Sequence, residues 1–502
     1  MTSSRTGRLA GGIAGAAGLI AVLTLVARAA GFGRILVFAD SVRASGIGDV
    51  YNAVNAVPNV VHEVAAGGAL AALTVPLIAG HLGRGRRDDA FGVASTLLTW
   101  ALLILVPLAG LVWVLAEPIT ALLIGSAVDG GVPMGAAMLR VFALQIPLYG
   151  IGIVLSGLLH ADQRFAAVAL APLLSSVVLI ATYAAYGSIA GGATTGLPPR
   201  AVDLLAWGTT VGVAALALPL LVPAWRTGWR YRPSLRFTGN DAARARRLAG
   251  AGLLALAAQQ IATLVALRLA TYHGGGQGAA SVYTWIVAVV MLPYAVLVIP
   301  LATAAFPALA ARASTPAPHL TNDPGPQGAT PAGSGAPEAS ALLGRALHLA
   351  VLLGVAGVIM LLAISPLVGA VFSYLDARRG GGAASGAAVP AMAAGLRAFA
   401  PGLVGLGVQA LLTRALYIRG RPLTAGLAVA VGWAVAVGLP AVLLSGEADA
   451  ARTVVLLGAG WSAGMTLAGA ALLVLAVRHW GSGILHGWGD TLTYLRRKVT
   501  RA

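Results

Sequence analysis

Apolar residues along this chain gather into twelve long runs, at 9–39, 47–80, 90–125, 135–160, 165–188, 202–225, 246–272, 279–311, 341–374, 386–417, 422–445 and 451–477, with short polar stretches between them. Each is long enough for an α-helix to cross the hydrocarbon core of a bilayer, which takes about twenty residues. Several are longer, as tilted, broken or overhanging helices are. The pattern predicts an all-α polytopic membrane protein with about twelve transmembrane helices. Arg5 and Arg8 precede the first run, and Ala27-Arg28-Ala29 within it has the outline of a leader cleavage site. Because apolar residues continue past Gly31-Phe32-Gly33-Arg34, an uncleaved span is expected.

The runs fall into two sets of six. "AEPITALLIG" (116–125) closes the third run and "ISPLVGAVFS" (364–373) closes the ninth; "LTVPLIAGHLGRG" closes the second and "AAFPALAARAS" the eighth. The match predicts an N-lobe at 1–225, a basic linker at 226–245 and a C-lobe at 246–477, a parallel repeat of the kind transporters use. A chance likeness between apolar segments is the competing reading. Residues 313–340, rich in Pro, Gly, Ala and Ser, read as a disordered loop within the C-lobe. Residues 478–502 read as a basic amphipathic tail, with Leu485, Trp488, Leu492, Leu495 and Val499 on one helical face and Arg496, Arg497, Lys498 and Arg501 available to anionic lipids.

Composition sharpens this picture. The chain is 58% apolar and only 10% charged, with a net charge of +17 and no cysteine. The missing thiols exclude a disulfide framework, a thiolate metal site and a thiol nucleophile. The positive charge alone suggests nucleic acid, but its placement points elsewhere. With the N-terminus on the cytoplasmic side, the inner segments hold 23 of the 33 Lys and Arg residues and the outer loops hold five: Arg43, Arg200, Arg378, Arg379 and Arg452. That asymmetry predicts a cytoplasmic-membrane protein with both termini cytoplasmic, and it explains the charge without a nucleic-acid partner.

The other five basic residues, Arg28, Arg34, Arg140, Arg268 and Arg397, lie within runs. Arg140 and Arg397 sit near run ends, where an interfacial role is expected. Arg28 and Arg34 are deeper, and an arginine at a helix centre costs ~2.5–3.5 kcal/mol on the insertion scale. Six residues apart, they point about 120° away from each other on an ideal helix, unless Gly31 and Gly33 break it. A guanidinium fork suits phosphate oxygens; snorkelling or structural pairing is the alternative. Arg268 occupies a similar place in the second half.

The second run carries a further anomaly, "YNAVNAVPNVVHEVAAGGALAALTVP" (51–76). Asn52, Asn55, Asn59 and His62/Glu63 recur at three and four residues, which is one helix face. Such a face looks at protein or water, not lipid. It forms either helix–helix contacts or the wall of a wet cavity, where Glu63 titrates or pairs statically with Arg28 or Arg34. Pro58 is expected to kink or open the helix, and Gly67-Gly68 marks a second soft point. No paired-carboxylate site and no metal-spaced cluster is present. "RRGGGAASG" (378–386) lacks the Lys-Ser or Lys-Thr of a phosphate loop. No enzyme chemistry and no cofactor is predicted.

"RAAGFGR" (28–34), "GDVYNAVNAVPNVVHEVAAGGALAALTVPLIA" (48–79), "ADQRFAAVALAPLLSSVV" (161–178), "YTWIVAVVMLPYAVLVIPLATAAFPALA" (283–310) and "LLTRALYIRGRPLTA" (411–425) together resemble the MurJ/MviN lipid II flippases, in an actinobacterial-type version. The resemblance covers nearly the whole chain in order. It implies two six-helix lobes around a central cationic cavity and movement of lipid II, a disaccharide-pentapeptide on undecaprenyl pyrophosphate, from the inner to the outer leaflet by alternating access. It places the family's cavity arginines at Arg28 and Arg34, with Asn52, Asn55, Asn59, Glu63 and Arg268 as further candidate substrate contacts. Membrane lipids and cell-wall or division proteins are the other partners it suggests. The chain departs from the family in four ways. Glu63 stands where many members carry an arginine in segment two, and about Ala288 where they carry one in segment eight. Twelve spans are predicted where many members have fourteen. Segment eleven has no Asp or Asn for the family's sodium site. Alternative readings are another exporter of the same superfamily, for drugs or polysaccharide-lipids, and a non-transporting scaffold for cell-wall enzymes; a scaffold has no need of Arg28 inside a span.

Overall fold

The computed structural model describes residues 22–23, 25–65, 70–236, 253–313, 335–382, 385–444 and 449–486, and among them every regular element is helical. The helices are α1 (residues 25–41), α2 (Ile47–Val64), α3 (Leu70–Leu82), α4 (Arg87–Val114), α5 (Ala116–Ile124), α6 (Gly131–Phe142), α7 (Gln145–Ala161), α8 (Phe165–Ala190) and α9 (Pro199–Ala217). They continue as α10 (Leu221–Arg226), α11 (Leu253–His273), α12 (Ala279–Pro293), α13 (Ile299–Ala313), α14 (Gly335–Arg378), α15 (Met392–Phe399), α16 (Gly402–Ile418), α17 (Pro422–Leu443) and α18 (Ala450–Trp480). Within the described residues, each of the twelve predicted runs is largely helical. Among the described residues nine helices are long and apolar enough to cross a membrane, or ten if Val389–Phe399 and Gly402–Ile418, bent by 48°, form one span. The helix assignment passes through the buried Pro58 rather than opening there. It stops at Val64 and resumes at Leu70, on either side of Gly67-Gly68, which lie outside the described residues.

The chain forms two compact units. Unit 1 comprises 1–285, 369–390 and 447–451, and unit 2 comprises 286–368, 391–446 and 452–502. They do not coincide with the sequence halves: α11, the start of α12 and the end of α14 belong to unit 1. The reason is a buried polar junction where α1 turns into α2. The Asp49 carboxylate of α2 is fully buried and accepts three backbone N–H groups at the start of α12, from Gly278 at 2.8 Å and from Ala280 and Ser281 at 3.1 Å each. These are the amides that a helix start leaves without intrahelical partners, so one helix caps another. Gly278, at φ +91°, allows the approach: a Cβ there would stand 2.8 Å from that of Ala44. Ser281 Oγ donates to Ala44 O at 2.7 Å.

The end of α14 joins the same junction. Arg43 Nε donates to Asp376 O at 2.8 Å and its Nη1 to Gly192 O at 3.0 Å. Asp376, itself buried, accepts from Ala44 N and from both the amide and the hydroxyl of Ser385. Asp40 pairs with Arg379 at 2.8 Å and with Arg378 at 3.6 Å. Loops far apart in sequence are thus fixed by charge-assisted bonds that a dry interior strengthens.

Unit 2 packs by the opposite device, the absence of side chains. A Cβ on Gly432 of α17 would stand 2.7 Å from Gly464 O of α18, and one on Gly405 of α16 would collide with the backbone of Met465. Small residues let membrane helices meet backbone to backbone. The break between α15 and α16 at Ala400-Pro401 is stitched by Ser462 of α18, whose Oγ accepts Gly402 N at 3.1 Å and donates to Ala398 O at 2.6 Å.

Three predicted boundaries move. Linker residues 226–236 are pinned rather than free: Trp229 is fully buried, its Nε1 donates to Ser95 Oγ of α4 at 3.2 Å, and Trp100 Nε1 donates to Leu235 O at 3.2 Å. The aromatic residues in that basic stretch were the available signal. The predicted loop 313–340 gives way to helix at Gly335, and Ser340 Oγ donates to Trp480 O at 2.8 Å. The twelfth span runs on to Trp480, which lies under the Arg419 guanidinium at 4.1 Å, and Ile484 beyond it is buried. Residues 314–334 and the proposed amphipathic tail from 487 lie outside the described residues.

Replacing Asp49 with Ala strands three buried amides, each costing ~1–3 kcal/mol when unpaired. The purified protein is expected to lose on the order of 3 kcal/mol or more of stability by thermal unfolding in detergent, with Asp49→Asn losing less because one acceptor oxygen remains. Unchanged melting of Asp49→Ala would refute the capping role. Ser462→Ala is expected to cost ~1–3 kcal/mol in the same assay by unpairing Gly402 N.

Candidate functional site

The polar face of α2 serves two tasks. At its start Asn52 Nδ2 donates to Gly48 O at 2.9 Å and to Ser281 Oγ at 3.1 Å, so that amide is committed to the junction. Further along, Asn59 Oδ1 accepts the Tyr149 hydroxyl of α7 at 2.9 Å, and the His62 ring lies against the Tyr149 ring at 4.3 Å. Between these two levels the Asn55 Oδ1 is buried without a hydrogen-bond partner, and so is His62 Nδ1. Glu63 is exposed and has no ion pair among the described residues, so neither Arg28 nor Arg34 forms the static pair with it.

Aromatic contacts set the register of the neighbouring helices. Phe38 of α1 lies 5.1 Å from Tyr51 of α2, and Phe142 of α6 lies 5.7 Å from the same ring. α1 and α2 are joined by a short turn and run back against each other. At equal rise per residue, Arg34 comes about level with Asn55, and Arg28 about level with Val61 and His62. α2 and α6–α7 run the same way, so Gln145, between Phe142 and Tyr149, also comes about level with Asn55. Its Oε1 is buried and unpaired while its Nε2 donates to Thr210 Oγ1 at 3.2 Å. Behind this wall Tyr51, Tyr183 and Thr209 share hydroxyl hydrogen bonds of 2.8 and 3.1 Å.

α1 is continuous through Gly31 and Gly33, so Arg28 and Arg34 keep their ideal divergence and do not share a face. Arg34 is half-buried and close enough to Tyr51, Tyr149 and Tyr183 to act on each electrostatically. Glu63 acts on Tyr149 as well. Arg28 is exposed. Neither arginine has a carboxylate partner among the described residues. The Arg268 guanidinium lies 4.4 Å over the Tyr272 ring, beside Gly125 at the end of α5, with Nη1 buried and unpaired, on a helix that packs against α2. Arg140 lies 5.9 Å from the Trp113 ring and Arg397 bonds its own helix at Ala393 O.

Asn59 is joined to Tyr149, which Arg34 and Glu63 both reach electrostatically; Asn55 lies one turn before Asn59 on α2, and Arg28 lies further along α1. Asn52 is bonded into the junction, and Arg268 is held over Tyr272. An unpaired half-buried guanidinium beside unpaired oxygen and nitrogen acceptors suits an anionic group attached to neighbours rich in hydroxyl and amide donors. Among the described residues no three His, Cys, Asp or Glu side chains converge as metal ligands. Sequence reasoning missed Tyr149, Gln145 and Asp49. Asp49 lies one turn before Asn52 on the same stripe, and Gln145 and Tyr149 stand out as polar residues one turn apart in an apolar run.

The sequence profile of the family described as lipid II flippase MurJ matches residues 38–500. A curated relative, the lipid II flippase MurJ of Burkholderia cenocepacia, is 31% identical over 167 residues, covering 32% of this chain and 31% of that protein. The chain thus aligns with about a third of the length of that relative. Among solved structures, a lipid II flippase MurJ in an inward closed conformation matches with a TM-score of 0.67 at 15% identity, over 95% of this chain and 91% of that one. An inward-facing multidrug resistance MATE family transporter matches with a TM-score of 0.68 at 16% identity, over 90% and 94%. Those two likenesses are of fold, the all-helical polytopic fold shared by the two kinds of transporter. Since the family profile spans nearly the whole chain and the helices adopt that fold, this protein belongs to the MurJ lipid II flippase family.

Proposed function

We propose that this protein is a transporter rather than an enzyme, and that it moves lipid II from the inner to the outer leaflet of the cytoplasmic membrane by alternating access. The observation that carries the reading is Arg34, half-buried on α1 with no carboxylate partner among the described residues and within electrostatic reach of Tyr149, against which the unpaired His62 rests. A cation kept in that state is costly unless an anion visits it. A lipid-linked pyrophosphate meets the requirement: its charge falls to Arg34 and Arg28, its sugar hydroxyls and peptide amides to Asn55, Asn59 and Gln145, and its prenyl chain stays in lipid. The excess of basic residues in the predicted inner loops supports cytoplasmic termini, the side on which lipid II is loaded.

Depleting the protein and measuring lipid II exposed on the outer leaflet tests this directly, and exposure is expected to fall. Arg34→Ala and Arg28→Ala are each expected to abolish complementation while still inserting. Arg28→Lys restores it only in part, for want of the planar fork. Normal growth on Arg34→Ala at ordinary expression would rule the reading out. Glu63→Gln removes a negative charge from the same wall and is expected to tighten binding of lipid II by roughly fivefold, measured on the purified protein in micelles.

A further inference from the structure

We propose that His62 is a proton-dependent ligand for the pyrophosphate: neutral in the empty site, protonated when the diphosphate is bound. The inference rests on the reading above and extends it to a residue that the arginine chemistry does not include.

Four features support it. The first is an unmet hydrogen bond, since His62 Nδ1 is buried without a partner. A buried polar atom without a partner costs free energy, and an anion that accepts a hydrogen bond from that nitrogen, once protonated, removes the cost. The second is orientation. The imidazole lies on the Tyr149 ring at 4.3 Å, and the Tyr149 hydroxyl is anchored on Asn59 Oδ1 at 2.9 Å, so the ring plane is set by a side chain that is itself fixed. The third is position. By register, His62 comes about level with Arg28, and Arg34 acts on the Tyr149 against which His62 rests. The fourth is charge. A diphosphate esterified at both ends carries two negative charges; Arg34 and Arg28 diverge on α1, so each meets it singly with one fixed positive charge, and histidine is the side chain that adds another near neutral pH.

The other charged groups around α2 do not take that place. On α2 itself, Glu63 is adjacent in sequence and exposed, while Asp49 is occupied by the α12 amides. On the helices packed against α2, Arg140 faces Trp113, Arg268 faces Tyr272 with His273 beside it, His160 lies against Phe165 at 5.7 Å, and Glu117 is exposed near the start of α5. Loading the lipid therefore takes up one proton from water onto His62, and unloading returns it.

The test is lipid II binding to the full-length protein in detergent micelles at about pH 6 and about pH 8, a window in which a doubly esterified diphosphate does not titrate and histidine does. Undecaprenol serves as the uncharged control. For the unaltered protein, affinity for lipid II is expected to be about tenfold higher at the lower pH, the worth of one charge-assisted hydrogen bond. His62→Gln should bind equally at both values, at the weak limit, and His62→Arg equally at both, at the tight limit. A variant that fails to fold would lose undecaprenol binding too, and circular dichroism of His62→Gln checks this independently. If His62→Gln keeps the pH dependence of the unaltered protein, or if the unaltered protein shows none while still preferring lipid II to undecaprenol, the inference is overturned and the flippase reading stands. No preference for lipid II over undecaprenol at the lower pH overturns both.

Discussion

A carboxylate inside a membrane protein needs something to do, and in unit 1 Asp49 takes the first amides of α12 as its partners. The organisation of that unit follows from this contact. It draws the loop before α12 onto the start of α2, and that brings Ser281 to Asn52 and Ala44. The same turn carries Arg43 to Asp376 and Gly192, so the end of α14 is held by the residues that separate α1 from α2. Once the start of α2 is fixed this way, its polar face has one available orientation, and Asn59 and His62 are carried round to meet Tyr149 of α7. The position of the candidate site is thus a consequence of where a buried charge found its hydrogen bonds.

The two units rest on different physics. Unit 1 is organised by polar groups with specific directions: the Asp49 and Asp376 carboxylates, the Arg43 fork and the hydroxyl set of Tyr51, Tyr183 and Thr209. Unit 2 is organised by van der Waals approach along α16, α17 and α18, with Ser462 as a local repair where Pro401 interrupts the helix ladder. The chemistry expected of a headgroup site and the chemistry expected of a scaffold are accordingly found in separate sets of residues.

The spans were legible because each needs only length and apolarity, and no partner has to be known to recognise them. Their ends were less so. Ser340, Trp480 and Trp229 lie in stretches that read as loop or tail by composition, and each is held by specific contact with a distant element. The α2 stripe was legible by its spacing. The assignments within it were not legible, because whether an asparagine is spent or unspent depends on its neighbour: Asn52 meets Ser281, 229 positions away, while Asn55 meets nothing. Asp376 and Ser385 were invisible for the same reason, having no period to betray them; Asp49 falls on the period of the stripe, but its partners at the start of α12 do not.

The glycine seam of unit 2 has a genetic corollary. Where Gly405 faces Met465 and Gly432 faces Gly464, the backbones already touch, so every amino-acid replacement at these positions adds volume and none removes it. A core leucine can mutate to something smaller and leave a hole that neighbours partly fill; a seam glycine has no such downward step. Missense change at these sites is therefore one-sided, and the stretch of chain that carries no candidate chemistry is also one with very little freedom to drift.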